Sequence, residues 1–263
     1  MAESDSTVMR GVDLFIFSGV CPASVAVALV ALCNKSLYPG ISPMLGPTLA
    51  LAGAGTFLVY TVDRLRDLAR DRPSSPARTA FVERNRRVLT GLCVPAAAIA
   101  GIAALSEPLL AWLLLAIAFG LGLFHRRLKG HPAFGVLYVA LAWVIVVVGL
   151  PVAHAPPGPL LSSEVLSVAC VVGLIVAANL VGSELREAEP ASLNAGRLRS
   201  ARLLALAGLF ASSLGAWLLV PVAVANLLAL VFFRPSERYG LGVLDGAILL
   251  GALIGLAMGV GVE

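Results

Sequence analysis

The chain reads as an all-α polytopic membrane protein, and three observations carry that expectation. Its 263 residues are 59% hydrophobic and only 13% charged, with a mean hydropathy of +0.94, whereas soluble domains carry about 25% charged residues. The apolar stretches are long and continuous, unlike barrel strands, which alternate over about ten residues. The basic residues also fall almost entirely on one side of those stretches, as cytoplasmic loops require. The polar, acidic N-terminus MAESDSTVMR precedes an apolar run of full span length, so no cleavable signal is expected.

The segments follow in order: Val12–Cys33, Met44–Val62, Val88–Leu105, Pro108–Phe124, Ala133–Val152, Leu166–Gly182, a long run Ala201–Phe233, and Leu241–Val262. The long run is 33 residues, roughly 50 Å as one helix, against a hydrocarbon core of about 30 Å. Gly215 and Pro221 offer places to break it. Split there, the total is nine spans. With the N-terminus inside, every Lys and Arg of the nineteen except Lys35 then lies on the cytoplasmic side. Residues 1–263 are thus expected to form a single integral domain of the inner (cytoplasmic) membrane. Loops at about 63–87 and 183–200 would face the cytoplasm.

Polar chemistry collects in those loops. Asp63, Asp67 and Asp71 recur every fourth residue in TFLVYTVDRLRDLARDRP, which places them on roughly one face of a helix. Like charges at that spacing repel unless a cation lies between them, so the row reads as a metal site at the membrane boundary. A solvated helix end whose acids pair with neighbouring arginines competes with that site. A second group closes the sixth span in AANLVGSELREAEP, where Asn179, Ser183, Glu184 and Glu187 share a face. Two acidic helix ends on one side of the membrane point to one shared ion. Oxygen ligands beside phosphate favour Mg²⁺, which takes one or two carboxylates plus substrate phosphates. Arg126, Arg127 and Lys129 follow the fourth span and suit a diphosphate, although any cytoplasmic loop attracts positive charge. An apolar tail lying between the helices would make the substrate a lipid diphosphate.

With these features the chain resembles the UbiA superfamily of intramembrane prenyltransferases, which has nine transmembrane helices and two Asp-rich motifs, after helices two and six. The first motif reads approximately NDxxDxxxD and is followed by Arg-Pro; DRLRD, Asp63 to Asp67, with Arg72-Pro73 downstream, is similar to its latter part. In that register the family's Asn falls at Val59 and its first Asp at Tyr60. In the other register Asp63 takes the Asn position, and Asp67 and Asp71 are the following acids. ANLVGSELRE is similar to the second motif through Asn179 and Glu187, with Glu where Asp is usual and Leu180 where an acid often sits. FHRRLKGHPAFG resembles the family's diphosphate-contacting loop.

The resemblance implies an Mg²⁺-dependent transfer of an isoprenoid group from a prenyl diphosphate to a lipophilic or aromatic acceptor. Asp63, Asp67 and Glu187 would be catalytic, and Asp63, Asp67, Asp71, Glu184 and Glu187 would be the metal ligands. Arg126, Arg127, Lys129, Asn179, Arg72 and Tyr60 would contact substrate. An intramembrane terpene cyclase that needs no acceptor, or a non-catalytic isoprenoid-lipid binding or transport protein, would keep the same fold.

The remaining polar residues read more plainly. Asp245, early in the last span, either shapes the acceptor site or snorkels to the surface; Asp13 invites the same two roles. His125 and His131 are expected at the surface, and His154, on the opposite face, is a poor candidate for the site. Cys21, Cys33, Cys93 and Cys170 lie unpaired in apolar runs, which suits packing and neither a disulfide framework nor zinc. Abundant Gly and Ala fit close helix approach. The arginines lack an aromatic platform, so no nucleic-acid partner is expected.

Overall fold

The computed structural model describes residues 11–39, 45–128, 132–155, 161–185 and 191–259, and among these every regular element is a helix. Each apolar segment overlies one or two of them. Residues 11–17 form α1 and Val20–Leu37 form α2, followed by α3 (Leu45–Arg66), α4 (Leu68–Asp71), α5 (Pro76–Arg84) and α6 (Arg86–Ala104). Then come α7 (Leu109–Leu128), α8 (Pro132–Val147), α9 (Gly149–Ala153), α10 (Ser163–Ser183), α11 (Ala191–Gly215), α12 (Val220–Val231) and α13 (Leu244–Met258).

Four helical stretches are long and apolar enough to cross a membrane: Val20–Leu37, Arg86–Ala104, Ser163–Ser183 and Tyr239–Met258. Leu109–Gly122, Gly135–Val147 and Trp217–Val231 are apolar but shorter. The helices α3 and α11 have 22 and 25 residues. They carry charge at one end: Asp63, Arg64 and Arg66 in α3, Arg197, Arg199 and Arg202 in α11. Two of the four stretches show the difference between centre and rim. The α2 and α6 windows have the same hydropathy, 1.7, yet 56% of the first is buried inside the protein and only 17% of the second. Val94, Ile99 and Ile102 of α6 therefore stand exposed on the outside of the fold, an arrangement that a hydrocarbon solvent stabilises and water does not.

The helices pack largely in chain order. The α2 helix lies beside α3, and α3 beside α6; α7 packs on α8, α8 on α10, α10 on α11, α11 on α12 and α12 on α13. The last helix then returns to α2 and joins the two ends of the chain. A core of Val25, Leu29, Leu32, Val148, Leu150, Val172, Ile175, Leu219, Val222 and Ile248 fills the space where α2, α9, α10, α12 and α13 meet.

Glycines set the closest approach. Gly251 and Gly255 stand one turn apart on α13 in the pattern GALIG. A Cβ at Gly251 would meet Val222 Cα at 2.5 Å, and one at Gly255 would run into the Leu218 carbonyl. Backbone thus lies against backbone, as in membrane helix pairs with small residues four apart.

Three breaks matter for the site. The long run Ala201–Phe233 does divide between Gly215 and Pro221: α11 stops at Gly215, a 3₁₀ turn spans Trp217–Leu219, and Pro221 sits in the first turn of α12. Proline loses nothing there, because the first N–H groups of a helix have no intrahelical partner. The first apolar segment is also interrupted, at Ser18–Gly19. Gly19 adopts φ 95°, and a Cβ there would meet Thr61 Oγ1 at 2.9 Å, so both backbone and neighbour call for glycine. The third break falls at Asp67, between α3 and α4.

Candidate functional site

The aspartate row keeps its four-residue spacing through the break. Asp67 N–H donates to the Asp63 carbonyl at 2.9 Å, and Asp71 N–H donates to the Asp67 carbonyl at 2.9 Å. The three side chains nevertheless meet three environments. Asp63 is half-exposed and accepts from Arg66 Nη2 at 3.0 Å. Asp67 is buried, with only 2% of its surface exposed, and Arg66 Nε lies 3.5 Å from its Oδ1. Asp71 is partly buried and paired with Arg78 of α5 at 2.7 Å. One arginine therefore spans Asp63 and Asp67, whereas Asp71 belongs to a separate contact that ties α4 to α5. Arg72 is exposed and pairs with Glu83.

A second polar group lies deeper, where α3, α8, α10 and α13 converge. Arg64 is buried, and its guanidinium donates from Nη1 to the Phe17 carbonyl at 2.8 Å while lying 5.6 Å from the centre of the Tyr60 ring. The break at Ser18–Gly19 explains the first contact, since the last carbonyls of a helix lack partners. Arg64 satisfies Phe17, and Thr61 Oγ1 donates to the Ser18 carbonyl at 3.0 Å. Tyr60 accepts from Trp143 Nε1 at 3.2 Å. Asn179 Nδ2 of α10 donates to Asp245 Oδ1 of α13 at 2.7 Å. The Asp245 carboxylate and the Arg64 guanidinium feel each other's charge, and both act on Tyr60. Asp63 acts on Tyr60 as well. The end of α10 is thereby tied to α13.

Of the residues singled out in the sequence, Tyr60, Asn179, Asp63 and Asp67 line this region or its rim. Glu184 is exposed just past the end of α10. Arg126 and Arg127 fall in the last turn of α7, and their side chains lie outside the described residues, as do Lys129 and Glu187. Among the described residues no three His, Cys, Asp or Glu side chains cluster as a metal group. All four cysteines are free thiols.

Two residues carry more of the site than sequence reasoning assigned them. Arg64 is one of the arginines that interleave with the aspartates and suit a phosphate by type, and nothing local marks it as buried. Asp245 did have a signal, an acid inside an apolar span. A third polar group holds His154, which the sequence placed on the opposite face, together with Thr48 and Glu107, which it did not single out. His154 Nε2 lies 2.8 Å from Glu107 Oε2 and 3.1 Å from Thr48 Oγ1, and Thr48 donates to Glu107 Oε1 at 3.0 Å. This triangle ties the start of α3, the turn between α6 and α7, and the residue after α9. The other polar groups lie toward the C-terminal end of α3, so it stands at the far end of that helix.

Fold and polar groups together define an all-helical protein of membrane character with a charged cluster buried between its helices. No family model matches the chain, and no curated protein or solved structure matches it either.

Proposed function

We propose that the chain is an intramembrane prenyltransferase of the UbiA type, with nine spans, embedded in the inner membrane with its N-terminus and reaction face cytoplasmic. The observation that supports this best is the pair of polar groups set between apolar helices, the buried Arg64 beside Tyr60 on α3 and Asn179 of α10 bonded to Asp245. They lie on the two helices that bear the motif-like sequences. A single polar region between apolar helices suits an amphiphile with a charged head and a long apolar tail.

The donor set fits a divalent cation of the Mg²⁺ kind: Asp63 and Asp67 are hard carboxylate ligands close enough to share Arg66, and Mg²⁺ is held by one or two carboxylates plus phosphate. Asp63 and Asp67 would hold it at the end of α3, with Glu184 and Glu187 as further ligands and Asp71 only by release from Arg78. When bound, Mg²⁺ supplies charge neutralisation for the departing diphosphate. Arg126, Arg127 and Lys129 bind the diphosphate, as does Arg72 once turned from Glu83. Tyr60 and Asn179 contact substrate, and the apolar helices exclude water from the allylic cation. The acceptor, lipophilic or aromatic, captures that cation.

The ion pairs Asp63–Arg66, Asp71–Arg78 and Arg72–Glu83 favour a second reading: a protein of the same fold that binds an isoprenoid lipid without turning it over. Purified protein incubated with geranylgeranyl diphosphate and Mg²⁺, with and without lipid extract as acceptor source, separates the two by pyrophosphate release. Release that needs extract supports transfer, release without it supports a cyclase, and binding without release supports the lipid carrier. If Asp67→Asn leaves Mg²⁺-dependent release unchanged, the site assignment is wrong.

A further inference from the structure

Asn179 is mostly buried, with 8% of its surface exposed, and its carboxamide is used on one side only. Its N–H faces the Asp245 carboxylate, as it must, because the amide oxygen there would repel the acid. The oxygen Oδ1 therefore points away from that carboxylate. Among the described residues it accepts no hydrogen bond, and a buried acceptor left in that state costs free energy that a ligand recovers. The second oxygen of Asp245 likewise has no hydrogen-bond partner among the described residues. Asp245 and Tyr60 beside it are partly exposed, whereas Asn179 Oδ1 itself is enclosed. Tyr60 spends its oxygen on Trp143 and keeps its proton for another partner.

Two kinds of ligand satisfy unpartnered oxygens: a cation, or a group with O–H or N–H donors. Charge decides between them. The charge of the buried Arg64 guanidinium acts on Asp245 and offsets that of the carboxylate. A divalent ion there would leave an excess positive charge in a low-dielectric interior. A neutral donor adds no charge. We infer that Asn179 and Asp245 form a subsite for the hydroxyl head of an amphiphile, a phenol or alcohol, with Asn179 Oδ1 and the free Asp245 oxygen as its acceptors. In turnover this is the acceptor's place, a role that rests on the prenyl-transfer reading; the binding itself does not.

Trp143 reports on the site through Tyr60. Trp112 and Trp217 are exposed on the outside of the fold, so changing both to Phe leaves Trp143 as the sole tryptophan of the three. The detergent-purified variant is titrated with 4-octylphenol and, separately, with 4-octylanisole, its methyl ether, which fills similar space but has no donor. The phenol is expected to change Trp143 emission saturably and to bind about tenfold or more tightly than the ether, the factor expected for hydrogen bonding to a charged acceptor. Asn179→Leu and Asp245→Asn are expected to bring the two ligands together. Equal affinities for phenol and ether in otherwise unaltered protein overturn the subsite without recourse to any variant, and so does the absence of a saturable response. A response to Mg²⁺ or Na⁺ alone that blocks the phenol overturns it in favour of a cation site. Phenol selectivity in protein that releases no pyrophosphate from a prenyl diphosphate keeps the subsite and removes the transferase.

Discussion

Glu107 and His154 lie 47 residues apart in the chain and 2.8 Å apart in space, with the Glu107 side chain fully buried and 13% of the His154 side chain exposed. Thr48 completes the triangle from the start of α3. Such a group holds three chain segments together only while every member has its partners. Removing one partner leaves another buried polar group unsatisfied, which costs about 1–3 kcal/mol. His154→Leu is accordingly expected to lower the thermal midpoint in detergent more than Glu107→Gln does, because Gln keeps hydrogen-bonding capacity toward Thr48. The double variant is expected to recover part of the loss, so that a double-mutant cycle gives a coupling above about 0.5 kcal/mol. Additive losses would show that the two side chains do not act together.

Asp67 and Asp71 make a paired test on the other side of the fold. Asp67 is buried at the break after α3, while Asp71 is held by Arg78. Asp67→Asn is expected to reduce Mg²⁺-dependent pyrophosphate release by about a hundredfold, since a metal-bound leaving group is stabilised by several kcal/mol. Asp71→Asn is expected to change the rate less than about threefold and to loosen α4 from α5, an effect on stability of about 1 kcal/mol. Equal effects on rate would place both acids in the metal site.

Gly251 and Gly246 differ in what a methyl group would meet. At Gly251 a Cβ runs into the backbone of Val222, which cannot yield; at Gly246 nothing lies within 4 Å. Gly251→Ala is expected to destabilise the α12–α13 contact by about 1–3 kcal/mol. Gly246→Ala is expected to be neutral or stabilising by up to about 1 kcal/mol, through helix propensity. Thermal midpoints of the two variants in one detergent check the contrast.

Arg64 caps α1 across the fold. Arg64→Met keeps an apolar stem but withdraws the donor from the Phe17 carbonyl, a loss of about 1–3 kcal/mol. Faster hydrogen exchange is expected in residues 11–19, with the centre of α2 unchanged. Exchange that rises equally along α2 would mean that Arg64 supports the bundle and not the bend.

The helical, membrane-type fold was legible because it rests on local quantities. Apolar run length needs no partner to be read, and the 33-residue stretch was too long for one crossing wherever its neighbours lay. Its break between Gly215 and Pro221 follows from that length and from proline's missing N–H. The bend at Ser18–Gly19 has the same kind of residue but was hidden, because glycine within an apolar run reads equally well as a packing position. Thr61, which approaches from another helix, leaves no room there for a Cβ.

The acids divide in the same way. Spacing placed Asp63, Asp67 and Asp71 one turn apart, and the structure keeps that spacing. Which of them turns inward depends on the break at Asp67 and on where Arg66 and Arg78 arrive, and no one-dimensional pattern encodes either. The Glu107–Thr48–His154 triangle and the Asn179–Asp245 bond join residues 47 to 106 positions apart. Hydrophobic periodicity and charge bias are properties of neighbouring residues, so the chain alone determines its helices and its membrane character. Burial, and therefore which polar groups must find partners, arises only when distant helices pack.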